Sequence, residues 1–100
     1  MIVKVLKSPR KMKRFRAVLD DGRTFDFGLD GGATYIDHKD ARLRDNYLLR
    51  HMANPTEARL VENLEPSPAL FSAMLLWGKY KTLEENIQYL NSLWAGKGEG

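Results

Sequence analysis

The sequence predicts an α+β domain: an N-terminal antiparallel β-meander of three or four strands packed by three or four C-terminal helices. Apolar residues alternate through residues 14–19 and again through 24–28, with turn residues between the two runs. Helix-opening residues then recur from Asp37 onward, at Asp40, Asn54-Pro55, Ser67-Pro68 and Thr82. A chain of 100 residues, 43% hydrophobic and 29% charged, suits one core. The alternative is a partly closed small β-barrel of the SH3 or Sm-like kind with helices. It needs further strands from Tyr35-Ile36 and from the segment near Leu75.

The first strand is read from the β-branched run Ile2 to Leu6 and ends at Ser8-Pro9, where proline removes a ladder donor. In the next two strands, register decides the turn. A two-residue turn at Asp21-Gly22 would set Leu19 opposite Thr24 and split the apolar residues between two faces. A three-residue loop, Asp20-Asp21-Gly22 with glycine in the left-handed region, sets Ala17 opposite Phe25 and Phe15 opposite Phe27. That register is expected, and it places Arg16 opposite Asp26 on the outer face beside Arg14.

Residues 29–34 have loop composition, and Tyr35-Ile36 is read as a short extra strand. A helix capped by Asp37 or Asp40 follows, with Leu43, Tyr47, Leu48 and Met52 near helical spacing and Arg50 and His51 in the last turn. Asn54-Pro55 opens a second short helix through Leu64, and Ser67-Pro68 a third that Gly78 stops. Thr82 with Glu85 makes a capping box for a final helix whose stripe is Leu83, Ile87, Leu90 and Trp94. One domain over residues 1–96 is expected, with a flexible tail at 97–100.

Composition removes several classes of function. With no cysteine there is no disulfide framework, thiolate catalysis or sulfur-ligated zinc. The apolar run Ala69 to Trp77 is far short of the roughly 18 residues that cross a bilayer, so no membrane partner is expected. The first residues carry lysines and no small-residue cleavage site, so an intracellular location, or a virion, is expected. The net charge of +3 is unevenly spread. Lys4, Lys7, Arg10, Lys11, Lys13, Arg14 and Arg16 put seven cations and no acid in the first sixteen residues, and the remainder carries a net −4.

The candidate nucleic-acid-binding residues are therefore Lys7, Arg10, Lys11, Lys13, Arg14 and Arg16, joined by Lys39 and Arg50. Clustered cations release counterions from a phosphate backbone. Phe15 lies among them, but its register aims it at the core and denies it a stacking role. His38 and His51, with Asp37, Asp40 and Asp45, have metal-ligand chemistry, yet the two histidines sit at opposite ends of the expected helix, about 20 Å apart. A nuclease of the His-Asn-His type needs a hairpin before its helix, which this spacing lacks. No metal and no cofactor are expected. Arg42 and Arg44 read as partners of Asp40 and Asp45, and Trp77, Tyr80, Tyr89 and Trp94 as core. No serine-histidine-acid set has a nucleophile elbow and no glycine set has phosphate-loop spacing, so no enzyme is expected.

Lys7-Ser8, Arg10-Lys11, Lys13-Arg14-Phe15, Asp21-Gly22-Arg23, Phe27-Gly28, Tyr35, Asp37-His38-Lys39-Asp40, Tyr47, Arg50-His51 and Leu76-Trp77-Gly78 form an ordered series from Lys4 to Leu90. The series resembles an uncharacterised family of small proteins of large DNA viruses and marine viral and environmental sequences. The resemblance implies a virus-associated origin and no particular activity. The expected function is that of a non-enzymatic accessory protein touching DNA or RNA non-specifically through its basic hairpin. The alternative is a structural, virion or interaction module that self-associates into a homo-oligomer along a strand edge.

Overall fold

A computed structural model describes residues 1–99 of the chain. Strands β1 (Ile2–Lys7), β2 (Lys13–Leu19) and β3 (Thr24–Leu29) form an antiparallel sheet in the order β1-β2-β3. Phe15 pairs with Phe27, Arg16 with Asp26 and Ala17 with Phe25, as the three-residue loop requires. The Leu19 N–H reaches the Arg23 carbonyl at 2.9 Å, the Gly22 N–H reaches the Leu19 carbonyl at 3.0 Å, and Gly22 has φ +90°. A two-residue turn would have moved both phenylalanines off the core face. β1 carries a bulge between Ile2 and Lys4, and Asn91 fixes the strand's start. Its Oδ1 accepts the Ile2 N–H at 2.8 Å and its Nδ2 donates to the Ile2 carbonyl at 3.0 Å.

The helices are α1 (Tyr35–His38), α2 (Ala41–Met52), α3 (Pro55–Glu62), α4 (Pro68–Phe71) and α5 (Leu83–Glu99), and α4 passes directly into a π-helical turn, Ser72–Leu76. The caps explain their starts. Asp40 accepts the N–H groups of Arg42 and Leu43, Asn54 those of Thr56 and Glu57, and the Ser67 hydroxyl that of Leu70. Pro55 and Pro68 take first-turn positions, where a missing donor costs nothing. α3 ends at Glu62, two residues before the expected limit, with Leu64 turned to φ +53°.

Tyr35-Ile36 forms no strand. Asp37 Oδ2 accepts both the Thr34 N–H and the Thr34 hydroxyl at 2.8 Å, which turns residues 35–38 into a helical turn that Lys39 closes at φ +58°. Leu75 lies in the π-helical turn. Neither segment supplies a strand, and the three-stranded sheet stays open at β1 and β3. This excludes the barrel and leaves the α+β meander. The final helix is longer than expected and runs through Gly96 to Glu99, with Lys97 Nζ donating to the Asn63 carbonyl. Gly100, the last residue of the expected tail, lies outside the described residues.

One face of the sheet is covered by α4, the π-helical turn and α5. Phe27, Phe71, Leu70, Leu75, Leu76 and Leu90 are its largest fully buried apolar side chains. Phe71 stands 5.7 Å from Phe27 and 5.5 Å from Phe25, ring centre to ring centre, within the range of favourable tilted aromatic pairs. In the α5 stripe Leu90 is buried, and Leu83, Ile87 and Trp94 line the core margin. No helix among the described residues is long and apolar enough to cross a membrane.

Candidate functional site

The hairpin joining β1 to β2 closes at Ser8 and Arg14, where the Ser8 N–H donates to the Arg14 carbonyl at 3.1 Å. Inside it, the Arg10 N–H donates to the Ser8 hydroxyl and the Lys13 N–H to the Arg10 carbonyl. Met12 is held at φ +72° and is 66% exposed. A non-glycine residue there stores strain, and the tight turn sets Lys11 and Lys13 on either side of it. Among the described residues Lys7, Arg10, Lys11 and Lys13 have no carboxylate within ion-pair distance.

Arg14 and Arg16, expected in the same basic face, are occupied otherwise. Arg14 grips Asp37 with both terminal nitrogens at 2.6 Å, tying β2 to α1. Arg16 forks onto Asp26 at 2.9 and 3.1 Å, and Asp26 also accepts the Ser8 hydroxyl at 2.7 Å. Each guanidinium is matched by one carboxylate, so neither adds net charge to the surface. Lys39 closes α1, with Nζ on the Ile36 carbonyl. Arg50 is exposed on the last turn of α2. Lys11 and Lys13 are therefore the predicted residues that line a cavity.

That cavity is a cleft of two adjoining parts, about 380 and 750 Å³, which share Lys13, Gly28, Tyr47, His51 and Ser72 in their walls. Lys11, Met12, Leu76 and Trp77 border the larger part, and Glu57 the smaller. Tyr47 is the centre of a ring stack. It lies 4.2 Å from Trp77 at an interplanar angle of 5°, and 4.1 Å from His51 at 27°. His38 stands 5.4 Å from Trp77 on a tilted plane. Burial pushes the Tyr47 phenol up to about 12, with the Glu57 charge adding to it, so the phenol stays protonated at neutral pH.

His51 Nδ1 lies 3.2 Å from Glu57 Oε2. An ionised carboxylate only accepts, so this contact puts a proton on Nδ1 and orients the ring. The partner of His51 thus comes from α3. The two histidines do not meet: one is in α1 and the other ends α2. Among the described residues no group of three His, Cys, Asp or Glu is placed to hold a metal.

Arg44 departs from its expected pairing with Asp40. Its Nε donates to the Trp77 and Gly78 carbonyls at 3.2 and 2.7 Å, and its contact with Asp45 is long, 3.7 Å. Trp77 is half-buried: it packs against the core, as expected, and also lines the cleft. Trp94 lies at the core margin, 6.2 Å from Phe71, with its indole N–H on the Leu64 carbonyl. Tyr80 and Tyr89 form an edge-to-face pair beside Lys79. Tyr47 and His51, four apart, were legible as one helix face, whereas the approach of Trp77 depends on a chain turn with no local signal.

The Arg14–Asp37 pair gives the fold a pH dependence. Arg14 foremost, then the Thr34 N–H and hydroxyl, hold the Asp37 carboxyl well below the usual carboxylate range against the opposing cost of burial. A depressed folded value stabilises the native state above the unfolded value of about 3.9, and the benefit is lost as pH falls below it. Asp37→Asn is expected to cost about 1–2 kcal/mol at pH 7, a charge-assisted bond discounted for partial exposure. Urea melts from pH 7 to 2.5 should show the gap to wild type closing at the acid end, and a constant gap would refute the assignment.

These features define a small α+β domain with a cationic hairpin loop beside an aromatic-walled cleft. Residues 3–51 match the model of a family of unknown function, DUF5754. No curated protein and no solved structure matches the chain. The match fits the resemblance to an uncharacterised family, although the motif series read from the sequence runs on to Leu90. It spans the sheet, Lys11, Lys13, Tyr47 and His51, and stops short of Ser72 and Trp77, which also line the cleft.

Proposed function

We propose that the chain is a non-enzymatic, virus-associated accessory protein that contacts the phosphate backbone of nucleic acid through the β1–β2 loop, inside a host cell or virion. The carrying observation is the set Lys7, Arg10, Lys11 and Lys13, four cations within seven residues and without an acidic partner among the described residues. The motif series supports the viral association. Arg14 and Arg16 leave the contact set because Asp37 and Asp26 occupy them, and Lys39 and Arg50 join it only as peripheral charge. Contacts of this kind position a protein on nucleic acid without reading sequence.

Fluorescence anisotropy with unrelated oligonucleotides at two or more salt concentrations tests the reading. A Lys11→Ala, Lys13→Ala double variant is expected to bind at least tenfold more weakly at low salt. Its log-log salt slope should be shallower by about 1.4–1.8, two phosphate contacts' worth. Absence of binding by the wild-type chain at low salt would overturn the proposal.

One observation favours self-association as a second reading. β1 is an edge strand, with Val3 58% and Leu6 44% exposed. Lys4 and Lys7 on the same strand oppose edge-to-edge pairing. A discrete oligomer by light scattering, together with no affinity for nucleic acid, would decide for this reading over the first.

A further inference from the structure

We infer that the cleft beside the basic loop seats one unpaired nucleotide, its phosphate against Lys11 and Lys13 and its base in the recess walled by Tyr47, His51 and Trp77. The inference rests on the nucleic-acid reading and adds to it a preference for single strands. A cleft whose parts measure about 380 and 750 Å³ is in the usual range for small-ligand sites. It has room for one nucleoside and none for a duplex. Its walls combine two lysines that have no acidic partner among the described residues with flat rings, which match a charged phosphate and a π-faced base. Glu57, the acid at the margin, is engaged by His51 Nδ1 at 3.2 Å and so repels an incoming phosphate less.

The rings are already ordered. Tyr47 is held between Trp77 and His51 at centroid distances of 4.2 and 4.1 Å, and Arg44 fixes the carbonyls of Trp77 and Gly78. A base entering beside such a stack meets a wall whose rotamers need no further ordering, and this preorganisation favours binding. Base-aromatic contact is tolerant of sequence because every base has a π-face. The site therefore distinguishes strands that have accessible bases from those that do not, and it does not distinguish one sequence from another. Exposed Met12, on the rim beside Lys11, extends the apolar surface at the mouth.

Three probes of equal length separate this inference from the reading beneath it: a single strand, the same strand made abasic, and a duplex. The 100-residue chain is expected to bind the single strand about tenfold tighter than the abasic strand, the margin that aromatic contact with one base supplies. Tyr47→Leu should abolish the margin and leave abasic affinity unchanged. His51→Leu, at a side chain 40% exposed, provides a second variant if Tyr47→Leu fails to fold by circular dichroism. Equal, salt-dependent affinity of the wild-type chain for single and abasic strands would overturn the nucleotide site while sparing the phosphate reading. No affinity for any probe would overturn both.

Discussion

Gly78→Ala is expected to cost about 3–5 kcal/mol, the upper end of what forced overpacking produces. Gly78 is buried where the chain leaves the π-helical turn. A methyl group added there points directly onto the Met74 carbonyl oxygen and comes within 2.8 Å of Asn86 Oδ1. Neither neighbour can yield. The Met74 oxygen is backbone, and the Asn86 amide is fixed by hydrogen bonds to Leu75 and Tyr80. For a domain of this size such a cost lowers the melting temperature by roughly 15–30 °C, a large share of a typical 5–15 kcal/mol stability. Thermal denaturation followed by circular dichroism measures it, and a shift of only a few degrees would disprove the packing argument.

The part of the fold governed by local rules was legible in the sequence. Phe15, Ala17, Phe25 and Phe27 fixed the hairpin register because one wrong turn length would have reversed a whole strand. Ser67-Pro68 and Asn54-Pro55 marked helix starts through caps that act within three residues. The misreading of Tyr35-Ile36 has the same local character. An aromatic and a β-branched residue favour a strand, but Thr34 and Asp37 offer the backbone a competing set of hydrogen bonds, and Arg14 reinforces it from another strand.

The candidate site was legible only as charge. Seven early cations were visible, and the register already set Arg16 opposite Asp26, but nothing local showed that Asp37 would neutralise Arg14, because Asp37 lies 23 residues from Arg14. The sequence reading removed Phe15 from any stacking role, and that agrees with its pairing against Phe27. It did not foresee that Tyr47 and Trp77 would supply ring surface beside Lys13. That meeting depends on the π-helical turn, whose extra residue re-aims Trp77. Such insertions recur at functional sites, and they leave no periodic trace in a run of Ala, Leu and Met.

Asn86→Ala is the companion prediction, with an expected loss of about 3 kcal/mol from buried groups left without partners. Asn86 is fully buried. Its Oδ1 accepts the Tyr80 N–H at 2.8 Å, and its Nδ2 donates to the Leu75 and Tyr80 carbonyls at 2.9 and 3.0 Å. Three backbone groups would lose their partner at once. From the other side, Arg44 holds the Trp77 and Gly78 carbonyls. The segment that presents Trp77 to the cleft is thus clamped between α5 and α2, and the variant should also change tryptophan fluorescence. Asn86→Asp sharpens the test. The isosteric carboxylate keeps the acceptor but faces two carbonyl oxygens, so burial and repulsion raise its folded value above the unfolded 3.9 or so. A raised carboxyl destabilises the native state at pH 7 and less so as pH falls. The Asp variant should therefore recover stability relative to wild type between pH 7 and 4.5, while the Ala variant should not. Parallel pH profiles for the two would show that Asn86 contributes volume alone.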